Sequence, residues 1–205
     1  MAMNSETSPS RRPAGSAVLR ESVTETIRHA VFEELAESGY ARMSMEAVTR
    51  RAGVGKAALY RRWPSKEGMV LDLVSEVAEE HLPATADSGS LRGDIERFIR
   101  EAMNALRHPL VARIVPDLLA ESTRNGRLGK ALHESVIVPR RVAVATVLRR
   151  AVDRGELPAD IDLSLAIDLF GAPLYFRVFA AGGATDDAYV TRLANAVLAG
   201  VHASR

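Results

Sequence analysis

Basic side chains concentrate in one short stretch of the chain, residues 42–66. This stretch carries a single acidic residue, Glu46, against seven basic ones: Arg42, Arg50, Arg51, Lys56, Arg61, Arg62 and Lys66. The whole chain has a formal net charge of only +1, so the rest of the sequence cancels this local excess. Lysine and arginine bind phosphate groups, and a compact basic segment suits nucleic acid. The chemistry that the stretch offers is therefore the binding of a polyanion.

The same stretch has the start and stop signals of two short helices. Ser44 is a good N-cap for a helix over residues 45–52, because its hydroxyl can accept a free backbone N–H. Gly53 permits the positive φ of a tight turn, and a second helix is predicted over residues 56–63. Pro64 ends that helix, and Ser65 is expected to cap the next one. The order of cap, glycine turn, aromatic residue and basic pair predicts a recognition unit rather than only a solvated basic surface.

A recognition helix of this size fits the major groove of B-form DNA. We expect Lys56, together with the open start of its helix, to bind a phosphate. Tyr60 can donate a hydrogen bond to a phosphate, and Arg61 and Arg62 extend the positive surface. Trp63 is predicted to pack. The predicted DNA-binding residues are Ser44, Met45, Arg51, Gly55, Lys56, Ala57, Ala58, Tyr60, Arg61, Arg62 and Lys66.

Outside the basic stretch, almost no segment alternates with period two, whereas helical spacing recurs throughout. The sequence therefore predicts an all-α fold of about nine helices. Asp160 or Asp162 is expected to cap the eighth helix, and Asp186 or Asp187 the last. A kink is expected at Pro139, within the long seventh helix.

The sequence lacks the motifs of several classes of protein. The chain has no cysteine, which removes disulfides, thiol catalysis and zinc fingers and is consistent with a cytosolic protein. The five histidines are scattered without a metal-binding spacing, and there is no GxSxG. The GVGK run at residues 53–56 lacks the full phosphate-loop spacing. We predict that the protein is not an enzyme and uses no cofactor or metal.

Membrane and export signals are also missing. No uninterrupted apolar run reaches about 18 residues, so no membrane span is predicted. Residues 1–16 are polar and lack the apolar core of a signal peptide. We expect a cytoplasmic protein.

The predicted eighth helix, DLSLAIDLFGAPLYFRVFAA, is apolar on nearly every face. Such a helix must be covered all round. It is either central within one subunit or covered on one side by a second copy. We favour a homodimer in which the last two helices of each copy form a four-helix interface.

The fifth to eighth helices also supply residues that can line a small-molecule site. An apolar set of this kind is more often plain core, and that alternative stays open. Arg177 is the most suggestive member because it interrupts an apolar stretch. The mixture favours an apolar or amphipathic ligand. The candidate ligand-binding residues are Phe98, Met103, Leu106, Ile114, Leu118, His133, Tyr175 and Arg177.

The run GYARMSMEAVTRRAGVGKAALYRRWPSKEGMVLDLV, residues 39–74, resembles the DNA-binding region of the tetracycline-repressor (TetR) family of bacterial regulators. The later runs VIVPRR, DRGELPADID and GAPLYFRVFAAGG resemble the C-terminal half of one TetR-like group. The resemblance implies a homodimer on a pseudo-palindromic operator, an effector site in the larger domain and dimerisation through the last two helices. Position 58 is often Ser or Thr in this family. Ala58 removes that possible hydroxyl contact, although small residues at 57 and 58 let the backbone approach the groove.

Three segments follow from these observations: a disordered arm over residues 1–16, a TetR-type helix-turn-helix domain over residues 17–77, and a ligand-binding and dimerisation domain over residues 83–205. We predict a sequence-specific DNA-binding regulator, a repressor by the family's commoner mode, that a small apolar or amphipathic ligand releases. The fourth helix links both parts and is expected to transmit the change. The alternative is a helical small-molecule carrier that does not bind DNA, which would not need the basic stretch.

Overall fold

The computed structural model describes residues 15–80 and 87–204, with side chains from residue 23 onward. Within these ranges every regular element is a helix and no strand occurs, as predicted. The predicted N-terminal arm lies outside the described residues except for Gly15 and Ser16, which belong to the first helix.

The N-terminal part contains four helices. The first is interrupted at Gly39, whose φ of 76° and ψ of 164° are not helical, so the sequence-predicted stop at Gly39 appears as a kink. The second and third form the expected pair around Gly53. The helices are α1 Gly15–Arg42, α2 Met45–Ala52, α3 Lys56–Arg62 and α4 Lys66–Glu80.

The C-terminal part contains six α-helical segments and two π-helical segments. The first π segment, His133–Ile137, joins α7 to α8, and Pro139 is the second residue after it. Proline lacks the backbone N–H that an α-helical bond needs, so the helix widens where a kink was predicted. The segments are α5 Leu91–Arg107, α6 Pro109–Arg124, α7 Gly126–Leu132, α8 Val138–Asp153, α9 Leu163–Tyr175, a second π segment Phe176–Ala181, and α10 Asp187–Ala203.

The predicted helix caps are present in the structure. In each case a side-chain oxygen accepts a backbone N–H three residues ahead, which satisfies one of the free donors of the first turn. Of the alternatives left open, Asp162 rather than Asp160 caps α9, and Asp186 rather than Asp187 caps α10. The oxygens accept at 2.7–3.1 Å: Ser44 from Ala47, Ser65 from Gly68, Asp162 from Leu165 and Asp186 from Tyr189.

Two apolar clusters hold the described residues together. The C-terminal cluster is built from α5, α8, α9 and α10. The N-terminal cluster is built from α1–α4, but it also includes Ile114 and Leu118 of α6 and Leu128 of α7. The outer helices of the larger part therefore complete the core of the smaller part.

The helix Leu163–Ala181, formed by α9 and its π extension, is exposed along one side. Ala166, Phe170 and Leu174 are buried, whereas Leu165 is 48% and Phe176 is 67% exposed. A single chain therefore does not enclose this helix. By length and composition alone it could also cross a membrane, contrary to the sequence-based expectation. That expectation counted uninterrupted runs, which Asp168 and Arg177 break.

Candidate nucleic-acid interface

The turn between α2 and α3 sets the geometry of the basic stretch. Gly53 ends α2 in the left-handed conformation, with φ 65° and ψ 25°, as predicted. Gly55 has an ordinary φ of −71°, so the turn does not require glycine there. A Cβ at Gly55 would meet open space. What Gly55 provides is an unobstructed start to α3.

Helix α3 presents one face outward. Leu59 is fully buried in the N-terminal cluster, which fixes the rotation of the helix. Lys56, Ala57, Tyr60 and Arg61 are exposed on the opposite side, and Ala58 is half-buried. These residues include two cations, a phenol and a small side chain. They lie on an α-helix, which the major groove of B-form DNA can accommodate. The face can bind phosphates and approach base edges.

Two of the predicted DNA-binding residues, Ser44 and Met45, contact the protein itself at the start of α2. Ser44 is half-buried, and its hydroxyl caps the helix. Met45 is only 6% exposed and packs in the N-terminal cluster. The structure therefore does not bring Met45 to the outward face.

Glu46 contacts both predicted phosphate-binding groups of α3. Its Oε1 lies 3.3 Å from Lys56 Nζ and accepts a hydrogen bond from Tyr60 Oη, also at 3.3 Å. Its own backbone N–H and the Lys56 ammonium hold the pKa of Glu46 below its usual range. Sequence reasoning missed this residue. Its only sequence signal was a lone acid within a basic stretch.

Arg51 is engaged by helix α1 rather than free for DNA. Its guanidinium donates to Glu34 Oε2 at 2.9 Å, to Glu33 Oε2 at 3.4 Å and to the Glu37 carboxylate. The hydrogen bond that Arg51 donates to the Glu37 carboxylate is the main cause of its raised pKa. A phosphate would have to displace three carboxylates. The structure thus gives Arg51 the role of fixing α2 against α1.

Lys66 is likewise bound within the protein. Its Nζ donates to the backbone oxygens of Tyr40 at 2.8 Å and Ala41 at 3.3 Å. The same ammonium lies 4.5 Å from the centroid of the Tyr40 ring, a cation–π distance. Lys66 therefore ties the start of α4 to the segment that follows the α1 kink.

Arg62 and Trp63 close the end of α3. The Arg62 guanidinium lies 4.6 Å from the centroid of the Trp63 ring and donates to the Thr24 hydroxyl of α1. Trp63 is 4% exposed, and its Nε1 donates to Asp72 Oδ2 at 2.8 Å. The prediction that Trp63 packs is confirmed. Arg62 lies at the edge of the outward face, bound to α1.

The candidate ligand-binding residues do not form one group. Phe98, Met103, Leu106 and Tyr175 lie in or against the C-terminal cluster. Phe98 packs edge-on against the ring of Phe170, with centroids 5.3 Å apart. Half of the predicted set therefore shares one neighbourhood.

The other four candidates lie elsewhere. Ile114 and Leu118 belong to the N-terminal cluster, and His133 is exposed on the first π segment. Arg177 donates to the Ala184 backbone oxygen from Nε at 3.0 Å and Nη2 at 2.8 Å. Its guanidinium also lies 4.5 Å from the centroid of the Tyr189 ring. Arg177 therefore secures the loop between the second π segment and α10.

No group of three or more His, Asp or Glu side chains in the described ranges could hold a metal ion. Two open surface hollows, of about 480 and 290 Å³, lie away from the ligand candidates. The larger is lined by residues such as His29 and Arg51, and the smaller by residues such as Arg149 and Asp153.

Two family models match the chain. The one described as "Bacterial regulatory proteins, tetR family" matches residues 27–73, and "Tetracyclin repressor-like, C-terminal domain" matches residues 85–197. The first spans α2, α3 and most of α1 and α4. The second spans α5 to most of α10.

Curated relatives cover most of the chain. An uncharacterised HTH-type transcriptional regulator of Bacillus subtilis, YdeS, is 27% identical over 187 residues, covering 90% of this chain and 92% of the relative. A DNA-binding transcriptional repressor, TetR, of Mycobacteroides abscessus is 31% identical over 170 residues, covering 82% of this chain and 87% of the relative.

Solved structures share the fold. The TetR family transcription regulator SCO0332 has a TM-score of 0.67 and 31% identity, covering 87% of this chain and 98% of that chain. The regulator FadR from Bacillus subtilis, solved in complex with stearoyl-CoA, has a TM-score of 0.71 at 18% identity, covering 86% and 96%.

Proposed function

Because the chain belongs to the tetracycline-repressor (TetR) family of DNA-binding helix-turn-helix transcriptional regulators, we propose that it is a repressor released by a small ligand. In this proposal it binds a pseudo-palindromic operator as a homodimer, and the ligand is apolar or amphipathic. Its relatives are regulators, which are not enzymes. DNA binding also separates it from a helical carrier.

The observation that carries the proposal is the outward face of α3. Lys56, Tyr60 and Arg61 supply phosphate contacts there, and Ala57 leaves room for the backbone to approach the groove. Phosphate contacts fix position, whereas base-edge contacts carry sequence information. With few polar groups aimed at bases, the proposed binding is strongly electrostatic and falls steeply with salt.

The exposed side of the helix Leu163–Ala181 supports the homodimer. An isologous pairing would cover Leu165 and Phe176 and would place α9 and α10 of both copies in a four-helix interface. A dimer also presents two copies of α3. To read two half-sites, these must lie about 34–36 Å apart, one turn of DNA.

Repression is supported by the relative from Mycobacteroides abscessus, which is named as a DNA-binding transcriptional repressor. A bacterial repressor acts on the chromosome, so we place this chain in the cytoplasm.

Release by a ligand is supported by the packing between the two parts. The first π segment packs against α4, and α6 packs against α1. A rearrangement of the larger part would therefore reach both helices that carry the recognition unit.

The proposed division keeps residues 17–77 as the DNA-binding domain and residues 83–205 as the ligand-binding and dimerisation domain. In the structure, α6 packs on both clusters, whereas α7 packs on the N-terminal cluster and against the first π segment. This shared packing gives the ligand-binding part a direct mechanical connection to the DNA-binding part.

A gel shift with the DNA upstream of the protein's own gene tests the proposal. We expect a shift that weakens between low and physiological salt and that is reduced by Lys56→Ala. Lys130→Ala is the matched control, because Lys130 is an exposed lysine on α7. A chain that shifts no genomic fragment at either salt concentration, or Lys56→Ala binding as tightly as the control, would contradict the proposed interface.

A further inference from the structure

Arg140 is a partly buried cation to which the described part of the chain offers no acidic partner. It lies in the first turn of α8, three residues after the first π segment ends, and its Nη1 donates to the Val136 backbone oxygen at 3.3 Å. Among the residues that the structure describes, no carboxylate forms an ion pair with it. Burial lowers the pKa of Arg140, and the Tyr175 phenol acts in the opposite direction.

The neighbouring arginine shows how a structural cation is normally held. Arg141 donates to the Asp168 carboxylate and, at 3.3 Å, to the Ser164 hydroxyl. Carboxylates raise the pKa of Arg28, Arg51 and Arg154, whereas burial lowers the pKa of Arg140.

Removing a guanidinium from water costs free energy unless an opposite charge compensates it. Within the described ranges the fold supplies no such charge to Arg140, although it supplies one to Arg141. The burial of Arg140 therefore favours a bound anion from outside the chain as its opposite charge.

The backbone around Arg140 is also irregular. The π segment His133–Ile137 precedes Arg140, and the π segment Phe176–Ala181 follows Tyr175. Single π turns inside α-helices occur frequently at functional sites. Helix α8, which carries Arg140, packs against α9, which ends at Tyr175. The rings of Tyr175 and Phe179 have centroids 5.7 Å apart, and both pack against the C-terminal cluster.

We propose that Arg140 binds the anionic end of an amphipathic effector whose apolar part packs beside Tyr175. This inference rests on the proposed release by a ligand and narrows that ligand from apolar or amphipathic to amphipathic and negatively charged. A charged oxygen at Arg140 accepts the guanidinium N–H groups for which the described residues supply no acceptor. Because the adjacent π segment packs against α4, occupation of this site acts on the helix that leads to the recognition unit.

Thermal unfolding with three probes tests the charge requirement. Decanoate, decyl phosphate and decanol share one chain length, and each is used below its aggregation concentration. We expect decanoate or decyl phosphate to raise the unfolding midpoint of the wild type more than decanol does. Stabilisation by the carboxylate alone or by the phosphate alone identifies the preferred head group. Equal midpoints with all three probes would overturn the proposal.

Arg140→Gln and Arg141→Gln separate this site from general surface charge. We expect Arg140→Gln to weaken binding of the anionic probe about tenfold or more, the loss of a charge-assisted hydrogen bond, and Arg141→Gln to leave it unchanged. Equal binding by Arg140→Gln and the wild type would overturn the proposal.

Arg140→Met gives a readout that needs no ligand. If Arg140 binds an effector, Met removes an uncompensated charge, and the unfolding midpoint of the free protein stays equal or rises. A clear fall would assign Arg140 to the fold and overturn the inference. Gel shifts of the wild type and Arg140→Met without probe keep the two proposals apart. If neither binds DNA, the proposed function fails; if both bind and the probe releases neither, only the present inference fails.

Discussion

At the scale of single residues, Glu46 occupies the two groups of the recognition helix that are predicted to bind phosphate. Its carboxylate lies at the same distance from Lys56 and Tyr60, the two groups expected to bind phosphate. A phosphate that approaches this face meets a negative charge already in place. We therefore expect Glu46 to lower the affinity for any DNA backbone and to leave sequence-dependent contacts with more influence.

Glu46→Gln is expected to raise affinity severalfold for both operator and random DNA. The amide removes the competing charge, so Lys56 and Tyr60 are free for phosphates, and the ratio of specific to non-specific affinity falls. Fluorescence anisotropy with the two DNA duplexes measures both affinities. Glu79→Gln, an exposed acid on α4, is the control. Unchanged random-DNA affinity in Glu46→Gln would contradict the competition.

Gly39 is required by its conformation and by its neighbour. Its φ and ψ lie in a region that is essentially restricted to glycine, and a Cβ would come within 2.7 Å of Asp117 Oδ1. Asp117 Oδ2 also accepts the Tyr40 backbone N–H at 2.7 Å. The carboxylate of α6 thus binds the backbone at the point where α1 bends toward the recognition unit.

Gly39→Ala is expected to destabilise the protein by roughly 2 kcal/mol, from backbone strain and displacement of Asp117. Urea denaturation followed by circular dichroism measures the loss. Gly126→Ala is the control, because a Cβ there meets nothing within 4 Å and φ is not positive. Equal unfolding midpoints for the two variants would contradict this account of Gly39.

Sequence reasoning located the basic residues but could not assign their partners. The acids that hold Arg51 come from 14 to 18 residues earlier on a separate helix, and the acceptors of Lys66 are backbone oxygens 25 and 26 residues away. Charge counting gives no information on such contacts. Trp63 was predictable because a large aromatic beside a helix stop is seldom left in water.

At the scale of elements, the pairing of α2 with α1 depends on charge. Arg51 lowers the pKa of Glu37, chiefly through their hydrogen bond, from its ordinary value of 4.5. A carboxyl with a lowered pKa in the folded state stabilises the fold above its unfolded pKa. That stabilisation is lost as the pH falls through the lowered, folded pKa.

Arg51→Met is therefore expected to lower the thermal midpoint at pH 7 but not below the lowered pKa of Glu37. Met keeps the apolar stem of the side chain and removes the ion pairs. Midpoints measured from pH 7 to pH 3 give the difference between variant and wild type. Arg149→Met, an exposed arginine on α8, is the control. A pH-independent difference would mean that Arg51 acts by packing alone.

Helices and caps were predictable because periodicity and capping chemistry are local properties. Ser44, Ser65, Asp162 and Asp186 each act within three residues of their own position. The two π segments were not predictable, since the extra residue in a turn is accommodated by packing against distant helices. Ile114 and Leu118 were predicted to line a ligand site, and their packing in the N-terminal cluster is a long-range contact that local patterns do not reveal.

At the scale of the whole molecule, the exposed side of the helix Leu163–Ala181 is the surface on which the proposed dimer depends. A contiguous exposed apolar surface on a single chain marks an interaction site. Leu165 and Phe176 lie on that side, and covering them requires a second molecule.

Phe176→Glu is expected to convert the proposed dimer to a monomer at micromolar concentration and to weaken binding to DNA with two half-sites. A buried charge on each side of a two-fold interface is repelled and desolvated. Sedimentation velocity measures the assembly, and circular dichroism checks that the helices persist. Leu119→Glu, on a comparably exposed apolar residue of α6, is the control. A Phe176→Glu protein that remains dimeric would place the interface elsewhere.

The packing of Ile114, Leu118 and Leu128 into the N-terminal cluster bears on how such regulators can be recombined. Consider a chimera that joins residues 1–82 of this chain to the C-terminal part of a relative. The N-terminal cluster of this chimera would lose the three apolar side chains that α6 and α7 supply. It would also lose the Asp117 carboxylate at the α1 bend. A functional chimera must therefore keep, together with residues 1–82, the α6 and α7 residues that pack against the N-terminal cluster.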